Sequence, residues 1–214
     1  MHKLSALAVI VICISGCAPS ITKPDLDNST YKSRYERQKG KTVVGEIQIE
    51  SKARQGERQR DGSTNFSESR HPLTVSEPTD VTVKNDLVKY FDSTTVRTDS
   101  SPFKIFATVL VADSYKAARI NGTAFIPIVG MFTGSDTKIG MNLKVRVEIE
   151  KNGELLKDWL FERRIDRVTS KTVSNEEDYQ SLIRDYRQLF FEELDVNIMR
   201  IVANKGVRVE SATE

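Results

Sequence analysis

The chain is short of the residues that carry most protein chemistry. It has two cysteines and two histidines in 214 residues. Cys13 lies inside an apolar run at the start, and only Cys17 follows it. A lone cysteine leaves no disulfide within the chain and no cysteine metal cluster. His71 is the one histidine beyond that start, in a polar stretch beside Pro72, and reads as a solvated loop residue. A Ser-His-Asp or Cys-His site needs more support than that. No glycine-rich phosphate loop is present. The net charge of +2 does not supply the basic surface that nucleic acid demands. The expectation is a chain with no catalytic residues, no metal, no cofactor and no nucleic-acid partner. A hydrolase built on Asp or Glu stays open, but nothing promotes it.

Long hydrophobic runs are also scarce. Leu4 to Ile14 is the one almost unbroken run, and it is too short to hold a bilayer as a spanning helix, which needs about 20 residues. Lys3 precedes it, and the small residues Ser15 and Gly16 lead into Cys17. Charged start, short core and small residues match a signal peptide. Ile14-Ser15-Gly16-Cys17 resembles the lipobox of bacterial lipoproteins. That resemblance implies cleavage before Cys17 and acylation of it, with chains such as palmitate. It makes residues 1–16 a signal peptide and 17–41 a lipidated tether. Two or more acyl chains hold a protein firmly, at about 0.8 kcal/mol per buried methylene. Ala18 after the cysteine implies the outer membrane, on its periplasmic face, since Asp there resembles the inner-membrane retention signal.

Residues 18–41 are polar and lack apolar periodicity, although Tyr31 and Tyr35 could dock. From residue 42 to 206 the pattern is that of a single domain, followed by a short polar tail over 207–214. Val43, Gly45, Ile47 and Ile49 alternate as a strand. Residues 51–78 are strongly polar and read as a long loop. Asp80 is placed to cap a short helix carrying Val83, Leu87, Val88 and Phe91. Phe103, Ile105, Ala107, Val109 and Val111 mark one face of the next strand; Phe106, Leu110 and Ala112 mark the other.

The clearest alternation is Ile139, Met141, Leu143, Val145, Val147 and Ile149 against polar neighbours. Asn152-Gly153 suits a tight hairpin turn. Leu155, Trp159, Phe161 and Ile165 form the return strand, with Asp158, Glu162 and Arg164 opposite. The runs Glu162-Arg163-Arg164 and Asp166-Arg167 read as a charged strand face. Ser174 with Glu177 forms a capping-box pattern. A stripe from Tyr179 through Leu182, Ile183, Tyr186, Phe190, Leu194, Ile198, Ile201 and Val202 predicts a long amphipathic helix. Gly206 is its terminator. Glu192-Glu193 belongs to its solvated face.

The predicted order is β-α-β-β-β-α. It implies an α+β two-layer sandwich, a four-stranded mixed sheet with two helices on one face. The first crossover joins parallel strands, and the rest is an antiparallel meander. This order, after a lipobox, resembles the small lipopolysaccharide-assembly lipoproteins and the auxiliary lipoproteins of envelope transport systems. Those families supply a tethered domain that binds or plugs a larger partner. The resemblance therefore implies a non-enzymatic accessory subunit that meets the membrane through its anchor and meets an envelope protein.

One segment breaks the pattern. Residues 123–134 carry Phe125, Ile126, Ile128, Val129, Met131 and Phe132 where a loop should be polar. Asn121-Gly122 and Gly134-Ser135-Asp136 flank it as turn signals. Pro127 and Gly130 make it a poor central strand. Two readings stand side by side: an edge strand or loop folded onto the core, or an exposed contact for a partner or a membrane. An alternative function is a lipid- or amphiphile-binding module, its cavity between sheet and helices lined by Phe106, Leu110 and Phe190.

Overall fold

The computed structural model describes residues 32–35, 42–53, 68–119, 137–169 and 175–205. Cys17, the segment 123–134, Ser174 and Gly206 lie outside the described residues. The elements in order are β1 (Thr42–Val44), β2 (Glu46–Ser51), β3 (Glu68–Pro72), α1 (Thr79–Thr94), β4 (Thr95–Arg97), β5 (Phe103–Arg119), β6 (Thr137–Lys151), β7 (Glu154–Val168), α2 (Asn175–Leu194), a π-helical turn (Asp195–Met199) and α3 (Arg200–Lys205). The main sheet runs β2-β5-β6-β7. β2 and β5 are parallel, and β5, β6 and β7 form the antiparallel meander. The α+β class, the mixed four-stranded path and the two main helices agree with the sequence reading.

The alternation in β6 does what its period requires. Ile139, Met141, Leu143, Val145, Val147 and Ile149 are all buried toward the helices. Asn152 and Gly153 take φ of 55° and 83°, the left-handed pair of a two-residue hairpin turn. From α1, Val83, Leu87, Tyr90 and Phe91 close over the sheet; Tyr179, Leu182, Ile183, Tyr186, Phe190 and Leu194 do so from α2. Phe190 meets Phe161 edge-on at 4.9 Å and stacks on Trp159 at 5.9 Å. The last helix is not uniform. A π-helical turn at Asp195–Met199 shifts the stripe, yet Ile198, Met199 and Val202 stay buried.

Several expectations need correction. The first strand is broken at Gly45. A Cβ there would sit 2.6 Å from the Ser101 carbonyl oxygen, so the backbones approach too closely for any side chain. β1 pairs with β4 in a separate two-stranded sheet, and β2 pairs with β5. Asp80 is not the helix cap. It is the second residue of α1, whose cap position is Pro78, and it accepts a hydrogen bond from Ser51 at 2.8 Å. Val88 is only half-buried.

The stretch 51–78 is not loop throughout. Glu68–Pro72 is β3, antiparallel to β5 beyond the point where β2 stops. Its polarity hid it, because an edge strand is held by backbone bonds and needs little apolar side chain.

The faces of β5 also switch. A register shift between Val109 and Val111 leaves Leu110 unpaired, so Ala112 rather than Val111 turns inward. A second shift near Glu150 leaves Leu155 59% exposed instead of core.

Candidate functional site

The geometry of the two ends of the sheet bears most directly on function. At one end the chain before β1 is pinned. Ser33 donates to Asp195 at 2.7 Å, the Arg34 amide approaches the other carboxylate oxygen at 3.3 Å, and the Tyr35 amide donates to Ser33 at 3.1 Å. The Tyr90 hydroxyl donates to the same carboxylate. Ser33, Tyr35, Tyr90 and Asp195 are all buried. Charge-assisted hydrogen bonds of this kind are the stronger ones, because the acceptor carries a full charge. The docking of Tyr35 was open from sequence. Its receptor, Asp195, was not foreseen, since nothing local marks it.

This clasp lies at the Phe103 end of the sheet. Tyr90 is near the carboxy terminus of α1, which leads into β4 and its pairing with β1. Gly45, just after β1, donates its amide to the Phe103 carbonyl at 2.7 Å, and Asn152 of the β6–β7 turn donates to Pro102 at 3.0 Å.

The opposite end is the base of the β5–β6 hairpin. Pairing continues to Ala118 opposite Thr137. The segment 123–134 therefore connects two paired strands at the far end of the sheet. At about 3.3 Å per residue, the fifteen steps from Phe103 to Ala118 separate the two ends by up to about 50 Å.

The far end is braced across three strands. Tyr115, Gly140 and Asp166 are directly opposite one another on β5, β6 and β7. Tyr115 reaches over Gly140 to donate its hydroxyl to Asp166, and a Cβ on Gly140 would occupy the space of the Tyr115 ring. Arg164 pairs with Asp166 at 2.8 Å, and its guanidinium lies 5.6 Å from the centre of the Tyr115 ring. Burial raises the Asp166 pKa, but hydrogen bonds from Arg164 and Tyr115 outweigh it and leave the carboxyl below its ordinary value. A glycine in mid-strand was the one sequence signal of this close approach.

The charged residues singled out in the sequence are consumed by such bracing. Glu162 pairs with Lys144 at 3.0 Å, Arg163 with Glu193 of α2 at 3.1 Å, and Arg167 with Asp185 at 3.4 Å. Arg146 forms a two-pronged pair with Asp158. Glu46 pairs with Lys104 at 2.8 Å. Exposed pairs of this sort contribute little stability each. His71 falls in β3, opposite Lys116 on β5. Glu192 is exposed on α2. Among the described residues no group of three or more His, Cys, Asp or Glu is placed to hold a metal ion. No helix among them is long and apolar enough to cross a membrane.

Among the described residues, aromatic and aliphatic side chains from α1, α2 and the sheet pack together between the layers. Phe190, named for an amphiphile cavity, is fully buried against Phe161 and Trp159. Phe106 pairs with Glu148 and lies on the opposite, half-exposed face; Leu110 is the unpaired residue of the register shift. These three residues are not brought together.

A second polar feature was invisible in the sequence. Arg187 of α2 and Asp86 of α1 form a two-pronged pair at 2.8 and 2.9 Å, with side chains only 1% and 2% exposed. Thr79 and Ser114 hydrogen-bond at 2.8 Å nearby in the interior. The hydroxyls of Tyr179 and Tyr186 are buried and, among the described residues, make no hydrogen bond of ordinary geometry, although Ser114 and Thr79 neighbour the first and Asp86 the second. Burial pushes both phenols up, Tyr186 well above its ordinary value with the Asp86 charge adding to the effect.

No protein-family model matches the sequence. No curated protein matches it either. Solved structures with a similar arrangement include a Xanthomonas campestris protein of family DUF330, at 10% identity, covering 88% of this chain and 98% of that one, with a TM-score of 0.44. Rare lipoprotein B from Shewanella oneidensis is similar at 9% identity, covering 75% and 98%, with a TM-score of 0.36. A minor lipoprotein from Acinetobacter baumannii is similar at 14% identity, covering 78% and 97%, with a TM-score of 0.35. Likenesses at these values carry no argument about function.

Proposed function

We propose that this protein is a lipid-anchored envelope lipoprotein that acts without catalysis, as an accessory subunit of a larger assembly. The anchor is Cys17, on the outer membrane's periplasmic face. The observation that supports the reading is the separation of the two ends. The chain leaving the lipid is clasped at Asp195, and the apolar connection follows β5 at the other end of a braced sheet. From Cys17 to Lys32 the chain has fifteen steps, a span of at most about 50 Å at full extension. The strand ends that bracket the apolar segment lie up to about 50 Å from the clasp, a separation that favours contact with a second protein over the bilayer holding the anchor. Phe125, Ile126, Ile128, Val129, Met131 and Phe132 are the proposed contact. Aromatic and Met side chains are enriched in such interfaces.

Three experiments test this. Cys17→Ala should abolish lipid labelling and normal processing; a variant still labelled and membrane-held removes the lipoprotein reading. Fractionation wholly with the inner membrane would overturn the location. Ile128→Asp with Phe132→Asp should leave circular dichroism unchanged while ending crosslinking to partner proteins in the native envelope. An unfolded double variant would instead place the segment in the core, because an unpaired buried charge is very costly. A folded one with its partners intact would remove the contact.

A further inference from the structure

We propose that β7 is a self-association edge. Two copies pair their β7 strands antiparallel about a two-fold axis at Phe161, so that one sheet continues across the dimer. The idea goes beyond the accessory reading and does not depend on the anchor or on the apolar connection.

Three observations carry it. The first is the edge itself. β7 is a 15-residue strand at the end of the sheet path, and among the described strands it pairs with β6 alone. Long edges are usually shortened, covered or guarded by charge, because their outward N–H and C=O groups template another strand.

The second is apolar exposure. Of the seven exposed large hydrophobics among the described residues, three are on this strand: Leu155 at 59%, Leu160 at 47% and Val168 at 62%. Singly exposed hydrophobics are ordinary, but three on one open edge are a surface that strand pairing would cover.

The third is charge register. A two-fold axis demands that the strand complement itself. Side-chain period two further demands that paired residues share a face. With the axis at Phe161, Asp158 and Arg164 keep their own-chain partners, Arg146 and Asp166, and Asp158 of each copy also faces Arg164 of the other, so that opposite charges alternate across the seam. Trp159 faces Arg163, a cation–π arrangement. Leu160 faces the stem of Glu162, and the two Leu160 side chains become diagonal neighbours across the axis. No like charges meet between residues 157 and 165.

Moving the axis one residue in either direction destroys this. With the axis at Leu160, Asp158 meets Glu162 and Lys157 meets Arg163. With the axis at Glu162, Asp158 meets Asp166, Lys157 meets Arg167, and Glu162 meets itself. The charges that guard the edge against these neighbouring registers admit the one centred on Phe161.

The test uses the full chain. Asp158→Arg and Arg164→Asp should each weaken self-association roughly tenfold or more, as like charges then face each other twice across the axis. Because Asp158 and Arg164 also pair with Arg146 and Asp166 in their own chain, a thermal melt of each variant separates lost association from lost fold, and the two changes together should dimerise more tightly than either alone. Independently, a Leu160→Cys chain co-expressed with a Glu162→Cys chain should give a covalent heterodimer on mild oxidation, seen on a non-reducing gel. That readout stands even if a charge variant misfolds. A wild-type chain that sediments as a monomer at about 10 μM, single charge variants that dimerise like wild type, or a cysteine pair that stays unlinked would each overturn the proposal. So would cysteine adducts to an unrelated envelope protein, which would assign the edge to that partner.

Discussion

The two sides of α2 are held by opposite kinds of chemistry. Toward the sheet, the helix lays Phe190 against Phe161 and Trp159, with Leu182, Ile183 and Leu194 buried beside it. Toward α1, it offers Arg187 to Asp86 in a fully buried two-pronged pair, and just past its end Asp195 receives Tyr90. Apolar contact is strong but tolerant of sliding and repacking. A two-pronged ion pair is directional: its two parallel hydrogen bonds exist in one alignment only. The sheet side therefore supplies most of the stabilisation, and the α1 side fixes how the two helices sit against each other.

Four perturbations sharpen that contrast. Phe190→Ala should show the largest effect, about 3–5 kcal/mol from lost burial and the cavity left behind. In a domain of this size that lowers Tm by roughly 6–20 °C. An unchanged thermal melt would mean the stripe faces a partner instead of the core.

Arg187→Ala should come close to it. Leaving Asp86 buried and uncompensated costs about 3–5 kcal/mol, whereas replacing both partners by apolar residues is often neutral or stabilising. Arg187→Met with Asp86→Leu should therefore recover most of the loss in a denaturant melt. If the double variant is as unstable as the single, the pair contributes stability that apolar packing cannot replace, and the division of labour drawn above fails.

Tyr186→Phe is a smaller probe on the same helix. Its hydroxyl is buried against the Asp86 carboxylate, which already accepts both prongs of Arg187, and among the described residues it makes no hydrogen bond of ordinary geometry. Removing such a group should leave stability unchanged or raise it by up to about 1 kcal/mol. A loss of 1 kcal/mol or more in chemical unfolding would reveal a partner for that hydroxyl.

The smallest expected effect is at Asp113, where burial, aided by the Asp80 charge, raises the carboxyl pKa. A folded-state pKa above the unfolded one stabilises only while the group is protonated, and that contribution is lost as pH rises through the folded value. Asp113→Asn should therefore melt higher than wild type at pH 7. The advantage should fade below about pH 4, where the unfolded carboxyl is protonated too. Melting curves that differ equally at both pH values would rule out ionisation as the cause.

How much of this was legible beforehand depended on the range of the signal. Strand β6, the Asn152-Gly153 turn and the stripe from Tyr179 to Val202 were readable because each is a periodicity within one element. Strand β3 was not, because Ser69, Arg70 and His71 carry no apolar alternation. The bulge at Leu110 was missed for a related reason: alternation continued smoothly through it, and only pairing with β6 reveals the residue that has no opposite. Of the candidate functional features, the lipobox-like ending at Cys17 and the apolar run were readable along the chain. The clasp and the brace were not.

Amino-acid order by itself determined the order of the long strands and the two main helices, the face of β6 that is buried, and the class of fold, since these follow from periods of two and near 3.6 along a short stretch of chain. It also determined where acylation is expected. Only the tertiary structure decided that Asp86 faces Arg187 across 101 residues, and that Ser33 finds Asp195 across 162. No local pattern encodes such partners. Each of these carboxylates reads in isolation as an ordinary solvated helix residue, and its meaning is set by which distant donor the packed sheet and helices bring within about 3 Å.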